Sequence, residues 1–419
     1  MKIRVRQGEA KGKIAIIPSK SYAHRILLCS ALSLHEVKVL GLIGSKDILT
    51  TKNALSSLGV GFKETEDGLV VTPLSYDGGE KTVFCDESGS TLRFLLPVIS
   101  ALGISATVDG KEGLRKRPIK LLLDVLRSGG AIIEGDGLPV KMSGKLKAGK
   151  YVLDGSQSSQ NLTGLMYALS LLDEPSEIIL MNKLVSVGYV DITLDVMRSF
   201  GACIDKTDSG YTVYPSKFSG VDTAYVEGDY SSASFLMALG VLAGEVEITG
   251  LNAHSKQGDR AMIDVLRSMG ADIEVSDSVI CRKSDLRAID LDATDIPDLI
   301  PVIAVCCAFS DGVSRIRGVD RLKIKESDRL QAICDMLDNF GVKHSDEPDT
   351  LYIYGGRVEG CRGTLKGYND HRIVMSAAVM ATVAGDATID DMEAINKSYP
   401  TFFEDLKVLG GENIAEVLG

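Results

Sequence analysis

The sequence predicts an α/β protein assembled from six copies of one repeating unit, and three observations predict it. The first is the segment Leu123 to Glu134, LDVLRSGGAIIE, with near relatives in LDVMRSFGACID ending at Asp205 and IDVLRSMGADIE ending at Glu274. Looser versions are NALSSLGVGF from Asn53, CDMLDNFGVKH from Cys334 and FEDLKVLGGENI from Phe403. The second is their spacing: Gly59, Gly130, Gly201, Gly270, Gly341 and Gly410 recur roughly every 70 residues, a period that marks internal repetition. The third is the local pattern. Apolar residues three and four apart followed by Gly read as an amphipathic helix ending in a left-handed cap, and the β-prone run after it (AIIE, ACID, ADIEV) reads as a strand.

Composition narrows the function. A chain of 419 residues, 45% hydrophobic and 25% charged, has room for two or three globular domains. A formal net charge of -11 excludes nucleic acid or an anionic membrane surface as the main partner unless cations are gathered in one place. Eight Cys without regular spacing or a CxxC pair, and no apolar leader before the first strand, argue against a disulfide framework and predict a cytoplasmic protein. The longest apolar run, Leu299 to Phe309, is about 11 residues where a membrane span needs about 20. It is predicted to be a buried core segment.

Taken in order, Ile3 to Arg6 and Lys13 to Ile17 read as strands. Pro18-Ser19-Lys20-Ser21-Tyr22-Ala23-His24-Arg25 then turns into the apolar helix ILLCSAL. Free backbone N–H groups at a helix start, with Ser and Lys beside them and Arg25 one turn on, suit an anion; an N-capped helix with two solvated cations is the plainer reading. Cys85 to Pro97, CDESGSTLRFLLP, repeats the design, with Gly89 leaving room for close approach and Arg93 on the first turn. Gly113 to Ile119 packs Arg115, Lys116 and Arg117 before a helix opened by Pro118. Gly155-Ser156-Gln157-Ser158-Ser159-Gln160 places hydroxyl and amide donors before LTGLMYAL, and Leu184 to Tyr189 adds Ser186 and Tyr189 before the next repeat helix.

The second half follows the same plan. Glu227 to Ser234 opens a helix, with Asp229 or Ser231 as its cap. Asp295-Ile296-Pro297-Asp298 sets two acids before the most hydrophobic helix, where capping is the default role. Arg321 to Arg329 is the densest charged run, and its KESDR precedes LQAICDML. Tyr368-Asn369-Asp370-His371-Arg372 opens IVMSAAVMA, and Asn396-Lys397-Ser398-Tyr399-Pro400 precedes the last repeat helix. Thus Lys20, Arg25, Arg93, Arg117, Lys325, Arg329, Arg372 and Lys397 all occupy turns or first turns of helices. A cation there opposes the helix dipole, and repeating that cost in most units predicts a trap for a substrate with several negative charges.

These motifs, PSKSxxxR at Pro18 to Arg25, SGSTLR at Ser88 to Arg93, LRKRPI at Leu114 to Ile119, SSQ at Ser158 to Gln160, IPD at Ile296 to Asp298, KESDR at Lys325 to Arg329 and NDHR at Asn369 to Arg372, match a known family in order and spacing. Over nearly the whole chain they resemble the enolpyruvyltransferases, and within them the 5-enolpyruvylshikimate-3-phosphate synthase family. The resemblance implies a two-lobed inside-out α/β barrel of six βαβαββ repeats, three per lobe. Residues 1–18 and 228–419 would form one lobe and residues 19–227 the other.

The implied reaction, the sixth step of the shikimate pathway, transfers the enolpyruvyl group of phosphoenolpyruvate to the 5-hydroxyl of shikimate 3-phosphate through a tetrahedral ketal, with release of phosphate. Carried over residue by residue, the resemblance puts Lys20, Ser21, Arg25, Ser158, Ser159, Gln160, Ser186, Tyr189, Asp298 and Lys325 on shikimate 3-phosphate. Lys20, Gly89, Arg93, Arg117, Gln160, Arg329, Arg372 and Lys397 would hold phosphoenolpyruvate, with the inhibitor glyphosate against Gly89. It implies no cofactor, no metal, no nucleic-acid or membrane partner, and a monomer.

The chemistry asks for such groups independently. An alcohol adding to an enol ether needs a base for its proton and an acid for the methylene carbon, and Asp298 and Glu326 are the candidates. Lys20 can donate to the leaving phosphate. Glu87 and Arg321 stand where many family members have Asn or another polar residue. Two readings compete: an enolpyruvyltransferase acting on UDP-N-acetylglucosamine, whose usual Cys or Asp is absent from Lys111 to Pro118, and a non-catalytic anion-binding repeat protein, which has no use for Asp298 and Glu326 beside the cations.

Overall fold

Six four-stranded sheets alternate with helices over residues 1–418, the residues that this computed structural model describes. The repeating unit runs strand, helix, strand, helix, strand, strand. One copy is Lys81–Phe84, Gly89–Leu102, Ala106–Asp109, Lys120–Ser128, Ile132–Glu134 and Val140–Ser143. Its first two strands pair in parallel and the rest antiparallel. A parallel pair needs a crossover long enough to return the chain, and the helix Gly89–Leu102 supplies it.

The two helices of a repeat differ in burial. The first is buried nearly all round: Ile300–Ala308 completely, Tyr230–Ala243 at every position but Ser231. The second is amphipathic, and Lys120–Ser128 buries only Leu122, Leu123 and Leu126. The motif that reveals the repetition therefore belongs to the outer helix.

By its internal contacts the chain divides into two units, one of Met1–Ser19 with the chain from Glu227 onward, the other of Lys20–Val226. Each holds three sheets. Not every repeat is contiguous in sequence. Thr223–Tyr225 pairs in parallel with Val37–Leu40, completing the first sheet of its unit with the last strand. In the other unit Ala10–Ala15 pairs in parallel with Gly244–Thr249, and Lys2–Val5 lies between Ala387–Ile389 and Ala415–Leu418. Strands separated by about 200 residues or more thus tie the ends of each unit together; Lys2–Val5 is paired on both sides, and Thr223–Tyr225 and Ala10–Ala15 form the edges of their sheets.

Five of the six expected cap glycines have left-handed φ: Gly59 (107°), Gly130 (108°), Gly201 (91°), Gly270 (96°) and Gly341 (67°). The sixth expectation is not met. The helix Phe402–Gly410 runs through Gly410, and Gly411 ends it at φ 83°, ψ 159°, outside the left-handed helical region. Ile414 lies so close to Gly410 that a Cβ there would meet its side chain at 2.8 Å.

These caps make a graded test. A Cβ on Gly59 would overlap the backbone carbonyl of Ser75, whereas one on Gly411 meets nothing within 4 Å. Gly411→Ala, held at φ 83° and ψ 159° where essentially only glycine sits, should cost about 1–3 kcal/mol of backbone strain without a clash, and Gly59→Ala more. Urea-unfolding midpoints of the two variants check the order.

Candidate active site

In the Lys20–Val226 unit the helices Gly89–Leu102 and Ser159–Ser170 pack side by side with their N-termini at the same end. Gln160 on the second reaches Ser90 (Nε2 to Oγ, 2.9 Å) and accepts from Arg93 (Nη1 to Oε1, 3.2 Å) on the first. One turn on, Gly164 leaves no room for a Cβ against the Arg93 carbonyl, so the close pairing needs that glycine. The Ser88 hydroxyl caps one helix by accepting from Thr91 N (3.3 Å), and Ser158 caps the other by accepting from Gln160 N (3.3 Å).

The guanidinium groups of Arg93 and Arg117 close over this end. Each comes within 3 Å of the place where a Cβ on Gly89 would sit. Arg93 is buried, and its donors go to the neutral oxygens of Gln160, Gly89 and Pro118. Among the described residues no carboxylate lies within ion-pair distance of either arginine. Burial, and then the Arg117 charge, push the Arg93 pKa down to about 9. Two like charges held together without a counter-charge form a strong anion site.

Beside them Lys20 opens the helix Lys20–Ala31 and pairs with Asp47 (3.0 Å). Arg25, one turn along, is buried and fully engaged: Nε donates to Thr193 Oγ1 (2.8 Å), Nη1 to the Ser21 carbonyl (2.7 Å) and Nη2 to the Tyr189 carbonyl (2.8 Å). Its guanidinium lies 5.2 Å from the Phe94 ring centre. His24 is buried against Thr51, and burial, with the charges of Lys20 and Arg25, holds its pKa well below the ordinary value, so it stays neutral. Ser186 adopts φ 55°, a left-handed conformation that costs a non-glycine residue about 1–2 kcal/mol. Strain of that kind gathers at functional positions.

The other unit assembles its cluster differently. Arg329, 2% exposed, opens the helix Arg329–Asn339 and lies between two carboxylates. Its Nε donates to Asp370 Oδ2 (2.7 Å), Nη2 to Asp370 Oδ1 (3.3 Å) and Nη1 to Asp298 Oδ1 (2.7 Å). Burial opposes its charge, but Asp370, Asp298 and Glu326 outweigh burial and raise its pKa. Asp298 also accepts from Lys325 (3.4 Å) and from Arg372 Nη2 (3.1 Å), and its backbone carbonyl accepts from Arg372 Nη1 (3.2 Å). It holds three cations and does not cap its helix. Lys397 donates to the Asn369 carbonyl (2.6 Å), and Glu326 meets His371 Nδ1 at 3.0 Å.

Asp370 is wholly buried and has two tasks, the salt bridge and the cap, accepting from Arg372 N at 3.0 Å. Burial acts to raise its pKa, and the Arg329 charge more than reverses that, so it stays ionised. Glu326, Asp370 and His371 each bring a ligand atom within 4.8 Å of the others. Both Asp370 oxygens are held by Arg329, so a metal there would have to break a buried salt bridge.

The site residues expected in the Lys20–Val226 unit, Lys20, Ser21, Arg25, Gly89, Arg93, Arg117, Ser158, Ser159, Gln160, Ser186 and Tyr189, lie at or beside helix N-termini. Asp298, Lys325, Glu326, Arg329 and Arg372 do so in the other unit, whereas Lys397, expected at a helix start, ends the short helix Met392–Lys397. Asp47, Thr193, Asp370 and His371 were not among the expected residues. Asp370 and His371 stand inside NDHR, yet an Asp before a helix reads first as a cap. Asp47 and Thr193 carry no sequence signal, since their partners are 27 and 168 residues away.

The model of the family described as EPSP synthase (3-phosphoshikimate 1-carboxyvinyltransferase) matches residues 5–406. A Clostridium perfringens protein named 3-phosphoshikimate 1-carboxyvinyltransferase is 37% identical over 420 residues, covering 98% of each chain. Among solved structures, EPSP synthase from Acinetobacter baumannii superposes with a TM-score of 0.83 over 100% of both chains at 23% identity. The enolpyruvyl transferase NikO from Streptomyces tendae superposes at 0.77 over 97% of both chains at 17% identity. The structural likenesses establish the fold, the two-lobed inside-out α/β architecture that EPSP synthases have.

The Arg329 salt bridge predicts a stability defect. Asp370→Ala leaves a buried guanidinium short of a partner and removes a cap, at a cost of about 3–5 kcal/mol. Chemical denaturation of the variant against the parent measures it; a loss under about 1 kcal/mol would show that Asp298 alone suffices for Arg329.

Proposed function

The chain belongs to the EPSP synthase family of 3-phosphoshikimate 1-carboxyvinyltransferases, and from that premise we propose how its two clusters divide the work of the reaction. The reaction transfers the enolpyruvyl group of phosphoenolpyruvate to the 5-hydroxyl of shikimate 3-phosphate and releases phosphate. The observation that carries our reading is the Arg93 and Arg117 pair over Gly89, two cations with no carboxylate between them. Anionic phosphoenolpyruvate supplies the missing counter-charge, with Gln160 oriented by Ser90 and Arg93.

Shikimate 3-phosphate takes the neighbouring groups. Ser158, Ser159 and Ser186 offer hydroxyls and helix N–H groups to its phosphate, with Lys325 adding a charge. Ser21, Arg25 and Tyr189 hold the ring and its carboxylate or hydroxyls. Lys20 serves both substrates and donates to the leaving phosphate. Arg329, Arg372 and Lys397 bind phosphoenolpyruvate.

The chemistry follows from what holds Asp298 and Glu326. As the 5-hydroxyl oxygen attacks C2 of phosphoenolpyruvate, its proton must leave and C3 must gain one, giving a ketal with a methyl group. Elimination then takes a proton from that methyl as phosphate departs. Arg372 and Lys325, together with Arg329, neutralise Asp298 in the free protein. Substrate anions compete for Arg372 and Lys325, and Asp298, still held at Oδ1 by Arg329, then has Oδ2 free to accept the hydroxyl proton. Glu326, hydrogen-bonded to buried His371, is placed to share a proton and deliver it to C3. We also read the protein as a cytoplasmic monomer; its eight Cys are all free thiols, and no helix among the described residues is long and apolar enough to cross a membrane.

Phosphate release from phosphoenolpyruvate tests the reading. It should occur with shikimate 3-phosphate and not with UDP-N-acetylglucosamine, and turnover with the sugar nucleotide alone would overturn the substrate assignment. Lys20→Met should lower kcat on the order of 10²–10³-fold, the usual cost of losing a donor to developing charge. A loss under about tenfold, roughly 1.4 kcal/mol, would remove Lys20 from the chemistry.

Gly89→Ala sets a new methyl group 2.6 Å from Arg117 Nη1 and 2.8 Å from Arg93 Nη1. The flexible guanidinium groups must withdraw. Affinity for phosphoenolpyruvate should fall and affinity for the longer inhibitor glyphosate should fall further; equal losses, read from KM and Ki, would make Gly89 a turn residue only.

A further inference from the structure

One buried carboxyl has no role in the reaction as assigned. Asp259 lies in the short helix Gly258–Ala261 and is 3% exposed. One of its oxygens accepts a hydrogen bond from the Ser231 hydroxyl; the other has no partner among the described residues. Ser231 is the one residue of Tyr230–Ala243 that is not buried, and its oxygen accepts from Arg372 Nη2 at 3.3 Å. The same Nη2 donates to Asp298 Oδ2 at 3.1 Å. Asp259, Ser231, Arg372 and Asp298 therefore form one chain of hydrogen bonds ending on a reacting group.

The direction of that chain matters. A serine hydroxyl has one proton and two lone pairs. Given to Asp259, the proton points away from Arg372 and leaves a lone pair facing it. Without that acceptor the hydroxyl is free to rotate, and Arg372 Nη2 loses the fixed partner it has besides Asp298. A purely structural account explains the carboxyl poorly. The cap of Tyr230–Ala243 is already made by Asp229, which accepts from Ser232 N at 2.9 Å, and a buried acid with an unpartnered oxygen weakens a core.

We propose that Asp259 is a positioning residue, which takes the Ser231 hydroxyl proton and thereby holds the Arg372 guanidinium in the orientation that meets phosphoenolpyruvate. The proposal rests on the assignment of Arg372 to that substrate. Burial, with the charges of Asp298 and Asp229, raises the Asp259 pKa to about 6 against the opposing pull of Arg372 and the Ser231 hydrogen bond. At neutral pH and above it is mainly the ionised acceptor that the proposal needs.

Steady-state kinetics of the full chain, at mildly alkaline pH with both substrates varied, test this. Ser231→Ala and Asp259→Ala should each raise KM for phosphoenolpyruvate by about tenfold, with kcat and KM for shikimate 3-phosphate within about threefold. The double variant should be no worse than either single one, because both changes break one chain. Asp259→Asn keeps an acceptor oxygen and should recover most of the affinity. Additive losses, an equal rise in both KM values, or an unchanged KM in Asp259→Ala would overturn the proposal. Should Asp259→Ala fail to fold, Ser231→Ala and Asp259→Asn decide: the first must raise KM for phosphoenolpyruvate and the second must not. Arg372→Gln separates the two levels. If it leaves that KM unchanged, the assignment of Arg372 falls and this proposal with it; if it raises KM while Asp259→Ala does not, only the proposal falls.

Discussion

The burial of Arg329 between Asp370 and Asp298 is the constraint on which the cluster of its unit depends. A guanidinium out of water needs its donors matched by acceptors, and carboxylates answer its charge as well. Matching them fixes three pieces of backbone at once. Asp370 sets the start of the helix His371–Ala384, Asp298 the turn before Ile300–Ala308, and Arg329 itself the start of Arg329–Asn339. Arg372 follows from that framework, because it springs from the helix that Asp370 caps and returns to Asp298. Lys397 is tied to the same turn through the Asn369 carbonyl.

The two units hold their cations in opposite ways. In one, Arg329, Arg372 and Lys325 share acids, so the cluster is nearly balanced and an arriving anion must displace Asp298. In the other, Arg93 and Arg117 have no acid between them, and the helix N-termini beneath add to the positive field. A bare pair attracts an anion strongly, and a balanced set gives up a carboxylate when one arrives. Both arrangements stand in a protein whose overall charge is negative.

Much of this was legible in the residues. Helix starts and stops are local events, so motifs such as SGSTLR, SSQ and NDHR could be placed on N-terminal turns without any fold. The repeat period gave the architecture because each copy carries its own helix and cap. The left-handed cap expected at Gly410 is absent: Gly410 is helical and Gly411 ends the helix at φ 83°, ψ 159°, which the local pattern of two adjacent glycines does not foretell.

The sequence by itself determined which residues could carry chemistry and on which elements they stand, because capping, periodicity and charge at a helix start act over four or five residues. Only the tertiary structure decided which acid answers which base. Asp298 reads as a cap and instead holds three cations; Asp370 is both cap and salt-bridge partner; Asp47 serves Lys20, and Asp259 lies behind Arg372. It also decided that the first and last strands of the chain complete sheets begun about 200 residues away or more. The reason is the same in each case. Ion pairs and strand pairings of this range depend on distances that exist only once the helices have packed, and nothing in the local pattern of a side chain names its distant partner.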